Sequence, residues 1–286
     1  MLARGIQVAG NEAIGAAAVT ALYHYPIKSC AGAALDVAAL DARGIVHDRE
    51  FMLVDAANGR FLTQRELPRM ALITPRLDDG ADTVLTVSAP GVSPLSVPVR
   101  ASGPTREVIV WRDGCRVVDQ GDEIARWFAA FLGVACRLVR LADDFERKVD
   151  PAYATSARDQ VGFADGFPLL LISEESLADL NARLAEPLPM NRFRPNVVVA
   201  GAGGPFAEDG WSRVRIGGTI LHVVKACARC AITTTDQRTA AVGKEPLTTL
   251  ATYRRGERGV LFGQNLIHEG PGTIRLGDRV EIPAGR

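Results

Sequence analysis

The strongest constraint on this chain is its punctuation. Through the first 120 residues, turn-forming clusters recur between short apolar runs: Arg43-Gly44, Asn58-Gly59, Asp78-Asp79-Gly80 and Asp113-Gly114. Gly, Asn and Asp accept the backbone angles of tight reversals, so the runs between them read as strands. The strands predicted this way cover residues 19–26, 34–40, 51–55 with 60–63, 72–77 with 84–88, and 108–111 with 115–119. Short strands at regular spacing predict a barrel or a strongly bent sheet.

Residues 122–132 break that rhythm. Ile124, Trp127, Phe128, Phe131 and Leu132 fall on one face of a helix, with Asp122 expected as its N-cap and Gly133 as its stop. The polar stretch 142–159 suits a domain junction or an active-site loop. Further on, a buried strand is expected at 169–172, with Ser173 capping a helix that turns Leu177, Leu180 and Leu184 inward. A strand follows at 196–200, then a hairpin of 214–216 with 219–224 about Gly217-Gly218. A short helix at 246–253 and a closing hairpin of 274–276 with 279–282 end the series. The fold class is α+β and β-rich. Residues 1–18 read as a tail, 19–130 as a barrel-like N-terminal domain and 131–286 as a second domain.

Composition removes several function classes. Lys+Arg and Asp+Glu both number 33, so there is no excess charge for a general nucleic-acid binder. Five cysteines, Cys30, Cys115, Cys136, Cys227 and Cys230, are an odd and scattered set in a 286-residue chain. That pattern points to reduced thiols and a cytoplasmic protein rather than a disulfide framework. No uninterrupted apolar run is long enough for a membrane helix, so no membrane partner is expected.

The chemistry is expected along Val223-Val224-Lys225-Ala226-Cys227-Ala228-Arg229-Cys230, where a β-type run brings two thiols and an arginine to a turn. Residue types alone leave several readings open. A structural zinc site needs four ligands, and His24, His47, His222 and His268 are dispersed. A redox dithiol should open a helix, yet this pair precedes a threonine run. Two buried cysteines packing as small apolar groups are the plain alternative to a metal-ligating thiolate. Lys28-Ser29, Arg49 and Arg194-Pro195-Asn196 lie in loops beside strands. Such a basic set suits an anionic, phosphate-bearing ligand if the loops converge.

Taken together, YHYPIKSC, GIVHDREFMLVD, NGRFLTQRE, GFADGFPLLLISEESL, FRPNVVV, KACARCAITTTDQRT, KEPLTTLATYR and LFGQNL resemble, in order, the MOSC family. The resemblance spans residues 19–283. It is to the long form, with a MOSC N-terminal β-barrel domain before a C-terminal MOSC β-barrel domain, as in amidoxime-reducing components and their bacterial relatives. It implies a molybdenum cofactor, a molybdopterin whose dithiolene holds the metal. Cys230 is implied as the protein's molybdenum ligand, with Arg229 beside it favouring the thiolate and Cys227 left to packing. Lys28, Ser29, Arg49, Arg194 and Asn196 are implied to contact the pterin and its phosphate. Asp165 and Gly166 are implied to face the metal, and Asp165 to position a water or hydroxyl proton. Gln264 and Asn265, in the run Phe262-Gly263-Gln264-Asn265, are implied to line the same mouth and donate to the pterin.

The implied activity is reduction of a small N-hydroxylated substrate. The alternative is a carrier of molybdenum cofactor or sulfur that uses a persulfide on Cys230. No plant-type ferredoxin cysteine pattern follows the last strand, so electrons are expected from a separate protein, ferredoxin-like or cytochrome b5-like with its reductase.

Overall fold

A computed structural model of the chain describes residues 17–282, so the expected tail lies almost wholly outside the described residues. The described residues begin with β1 (Ala18–His24), β2 (Ala33–Leu35), β3 (Val37–Asp41), β4 (Gly44–Ile45) and β5 (Phe51–Asp55). Next come β6 (Thr74–Asp78), β7 (Val84–Ala89), β8 (Val92–Pro98), β9 (Thr105–Val110), β10 (Asp113–Asp119), α1 (Asp122–Leu132) and β11 (Cys136–Leu141). The second half holds β12 (Leu169–Ser173), α2 (Glu174–Asn181), β13 (Val197–Ala200), β14 (Arg213–Ile216) and β15 (Thr219–Ala228). It ends with α3 (Leu247–Tyr253), β16 (Arg255–Gly256), β17 (Gly259–His268), β18 (Gly272–Arg275) and β19 (Val280–Glu281). The chain is therefore β-rich α+β, as its punctuation predicts.

The larger sheet runs β19-β14-β15-β17-β12-β13-β1-β2. It closes on itself, because Ala18 bridges Arg279 and Val280 N–H donates to Ala17 O at 2.7 Å. Closure removes the open edges that invite aggregation. β12 and β13 are parallel and every other pairing in this sheet is antiparallel. Val19, Leu22, Leu171, Val199, Val214, Ile216, Leu221 and Leu266 fill its core, and Ala38, Leu40 and Ile274 join from the small sheet β18-β3-β4. Residues 18–45 thus complete the layers of the second half.

The rest of the first half is two small sheets, β5-β11-β10-β9 and β6-β7-β8. α1 packs with them through Ile124, Phe128 and Phe131, all buried with Phe51, Leu53, Leu85 and Val87. Truncating one such buried phenylalanine to alanine typically costs about 3–5 kcal/mol. The cap of α1 differs from expectation. Asp122 is its first residue, and the N-cap is Gly121, with φ 101°. Asp119 fixes this entry by accepting from Gly121 N–H at 2.8 Å, while Arg137 holds Asp119. A Cβ at Gly121 would stand 2.6 Å from the Arg100 guanidinium. Gly133 is the left-handed stop, as predicted.

Other local expectations shift for identifiable reasons. The β9–β10 hairpin turns at Trp111-Arg112, not at Asp113-Gly114: Val110 pairs with Asp113, and Trp111 takes φ 59°. Arg147 Nε occupies the Asp113 carboxylate at 2.8 Å, which fixes Asp113 at the start of the strand. Residues 60–63 form only bridges to Val54 and Ile109 rather than a full strand. The expected closing hairpin does not form, since β18 pairs with β3 and β19 with β14. Ser173 caps α2 as predicted, its hydroxyl accepting from Ser176 N–H at 3.1 Å. Among the described residues no helix is long and apolar enough to cross a membrane.

Candidate functional site

A cavity of about 980 Å³ lies between the halves. Lys28, Ser29, Arg49, Asp165, Gly166, Arg194, Asn196, Arg229, Cys230 and Asn265 all line it, although they come from distant parts of the chain. Nine basic side chains face it against four acidic ones, in a chain of zero net charge. Local charge of this kind recruits anions without making the whole protein basic.

Backbone geometry sets the inner end. A short helical turn, Met190–Arg192, leads toward β13, and Arg194 lies between them with φ 55°. Arg49, at φ 49°, and Ser29, at φ 67°, are likewise left-handed. Non-glycine residues seldom sit there, and such conformations gather at functional sites. The Arg49 and Arg194 guanidiniums both pack on Tyr25, each 4.2 Å from its ring centroid. Tyr25 Oη donates to Pro195 O at 2.9 Å. Arg49 Nη1 donates to Asp48 at 2.5 Å and to Asn196 Oδ1 at 3.1 Å. Asn196 also accepts from Leu170 N–H and donates to Tyr23 O, so its amide is engaged in orienting Arg49.

Arg194 Nη1 donates to Cys30 O at 2.6 Å, but Nη2 is buried without a partner. Burial and the nearby Arg49 pull Arg194 down to about 10, which leaves it charged at neutral pH. Arg229 shows the same incompleteness. Its Nη1 donates to Cys227 Sγ at 3.0 Å and its Nη2 to Phe193 O at 2.5 Å, while Nε is buried and unpaired. An orphaned buried donor is costly unless a ligand completes it.

The mouth carries the thiol. β15 has two register shifts, between Val223 and Lys225 and between Ala226 and Ala228, opposite β17. Bulges re-aim side chains at site edges. Here they bring Lys225, Cys227 and Cys230 to the cavity. Arg65 Nη2 lies 3.5 Å from Cys230 Sγ, so the arginine beside Cys230 is Arg65, and Arg229 serves Cys227. Lys28 Nζ sits 2.5 Å from Asp165 Oδ1 and donates to Phe163 O at 2.7 Å. Burial lowers the Lys28 ammonium against the opposing pull of Asp165. Desolvation would raise the Asp165 carboxyl, but Lys28, the Trp111 indole and Arg65 outweigh it and hold Asp165 well below the usual carboxylate range. A Cβ at Gly166 would meet no atom within 4 Å, so its smallness leaves room on the cavity side.

One expected residue lies elsewhere. Gln264 points away from the cavity, where its Nε2 donates to Asp209 Oδ1 at 2.6 Å. Its neighbour Phe262 is also core rather than mouth, tilted against Phe193 with centroids 4.4 Å apart. Alternation on β17 explains both, since Asn265 faces the cavity opposite Lys225. Sequence reading missed Arg65, Trp111 and Arg147. Arg147 donates to Gly162, Ala164 and Asp165 carbonyls and shapes that loop. Arg65 lies within the matching run NGRFLTQRE, which was the available signal.

Among the described residues no group of three or more His, Cys, Asp or Glu is arranged to hold a metal ion. A metal at Cys230 must therefore bring most of its ligands with it. One thiol, paired arginines with unpaired donors and an open glycine suit an anionic, sulfur-donating metal cofactor.

Comparison with known proteins agrees in outline. Residues 16–135 match the MOSC N-terminal beta barrel domain and 158–281 the MOSC domain. The chain is 38% identical to mouse mitochondrial amidoxime-reducing component 1 over 92% of its own length and 82% of that protein's. The human protein of that name is 37% identical with the same coverage. Tomato molybdenum cofactor sulfurase is 32% identical, over 93% of this chain but 36% of its own length.

Proposed function

The chain belongs to the MOSC family, with a MOSC N-terminal beta barrel domain followed by a MOSC domain, and on that premise we propose a molybdenum-cofactor-dependent reductase of N-hydroxylated compounds. One observation carries the reading. Cys230 opens onto the same basic cavity as Arg194 and Arg229, each of which has one buried nitrogen without a protein partner.

Arg49, Arg194 and Ser29 hold the cofactor's phosphate and pterin, and Cys230 supplies the protein thiolate. Bound there, the cofactor supplies a two-electron redox couple at a thiolate-ligated metal. The overall change is cleavage of an N–OH bond, with two electrons and two protons giving the N–H product and water. Asp165, kept ionised, accepts a hydrogen bond from the substrate's N–H or O–H and so fixes its approach. Lys28, 2.5 Å away, donates a hydrogen bond to that carboxylate and keeps it ionised. Electrons come from a separate electron-transfer protein, ferredoxin-like or cytochrome b5-like.

The test is metal and pterin analysis of protein made in a cofactor-competent host, followed by benzamidoxime reduction with an artificial electron donor. Stoichiometric molybdenum with turnover is expected. The similarity to molybdenum cofactor sulfurase supports the rival reading of a carrier. Labile sulfane sulfur on Cys230, without turnover, would establish that rival and overturn the reductase.

A further inference from the structure

Trp111 is the residue whose position the cofactor does not explain. It stands at the tip of the β9–β10 hairpin, on the N-terminal half, with φ 59°. A bulky side chain in that region of backbone space is an outlier. The residue is 46% exposed, although aromatic burial would be favourable, and it lines the cavity.

Its surroundings are specific. Phe61 meets the ring edge-on, with centroids 5.1 Å apart and planes at 63°. Trp111 Nε1–H donates to Asp165 Oδ1 at 3.2 Å. The Arg65 guanidinium lies 4.9 Å from its ring centroid, and the same guanidinium reaches Cys230 Sγ at 3.5 Å. A single side chain thus separates the indole from the thiol, and the indole's own donor binds the carboxylate implied to orient substrate. The hairpin is held in this pose from below, since Arg147 anchors Asp113.

We propose that Trp111 is a specificity-determining residue, a stacking wall that selects planar, conjugated N-hydroxylated substrates over small aliphatic ones. This rests on the reductase reading above. A conjugated amidoxime is flat from its N–OH group into its aromatic ring. With the N–OH group near Cys230 and its amino hydrogens toward Asp165, its π-system falls where the indole is open. An aliphatic amidoxime presents the same reacting group but nothing to stack. Aromatic contacts of this kind supply about three- to tenfold in binding.

The experiment compares benzamidoxime with acetamidoxime on wild-type holoenzyme, Trp111→Ala and Trp111→Phe. Trp111→Ala is expected to raise KM for benzamidoxime about three- to tenfold more than it raises KM for acetamidoxime, because loss of the bond to Asp165 falls on both substrates and loss of stacking on one. Trp111→Phe, which keeps a ring but loses the bond to Asp165, is expected to restore most of the preference. A second readout needs no turnover. Benzamidoxime is expected to quench tryptophan emission saturably in the wild type, and Trp111→Phe to lose that quenching, because Trp211 is buried and Trp127 is engaged with Ser93. Equal losses on both substrates, or saturable quenching that survives in Trp111→Phe, would overturn the proposal. Absence of wild-type turnover on either substrate would instead overturn the reductase reading, and the quenching comparison would still decide the role of Trp111.

Discussion

At the inner end of the cavity, Arg49 and Arg194 pack on Tyr25; Arg49 is held by Asp48 and Asn196, while Arg194 keeps Nη2 buried without a partner. At the mouth, Lys28, Asp165, Trp111, Arg65 and Cys230 form a chain of single contacts, and the Asp165 side chain is 60% exposed. The two ends use similar residue types for different ends. Buried like charges with unpaired donors are tolerable only beside a resident anion, so the inner end is built for a ligand that stays. Lys28 is buried, but Asp165, Trp111 and Arg65 are exposed, and exposed groups reorganise at little cost, so the mouth is built for molecules that exchange.

Four substitutions break or sharpen that contrast. The largest effect is expected at the mouth: Cys230→Ala abolishes activity, while Cys227→Ala, whose thiol packs beside Arg229, retains most of it. Equal loss in two folded variants, by turnover and circular dichroism, would dissolve the distinction between the thiols. Next, Arg194→Met is expected to weaken cofactor retention by about ten- to a hundredfold, the worth of a charge-assisted contact. Molybdenum and pterin content after dialysis measures it. The melting temperature of cofactor-free protein should change little, because the guanidinium removed is incompletely paired there. A large fall in melting temperature with full cofactor retention would make the inner end structural.

The smallest effect on activity is expected outside the cavity, at His47. His47 lies 2.5 Å from Glu50 and 2.9 Å from Asp79, and these hydrogen bonds, against the opposing effect of burial, raise it to about 9 from 6.5. A raised histidine stabilises fully below its unfolded pKa and loses that contribution as pH climbs through the folded one. The wild type is therefore expected to lose up to about 3 kcal/mol between pH 6.5 and 9. Urea melts of wild type and His47→Gln across that window check it, and the variant should show a flatter profile.

Legibility in the sequence followed the range of the interaction. The helix over 122–132 and its glycine stop were readable because their determinants are neighbours. The strand 92–98 was missed, and the last two strands were paired with each other, because partners of β18 and β19 lie far away in sequence. The site was readable as a parts list and not as a place. Lys28 and Asp165 are 137 positions apart, and Arg65 and Cys230 are 165 apart, so no local pattern reports their meeting. Trp111 was hidden for a different reason: Asp113-Gly114 is the better turn by local chemistry, and the tertiary contact from Arg147 overrides it.

The pairing of β3 with β18, and the bridge from Ala18 to Arg279, carry a consequence for how the molecule is made. Segments near residues 18 and 40 must wait on the ribosome for partners translated long afterwards. A cut near residue 130 would yield neither a stable front piece nor a stable back piece, because each would be missing staves that the other owns. Separate expression of the two sequence-matched domains is a poor strategy, and a circular permutant opened at the exposed turn 155–158, clear of Arg147, is a better one.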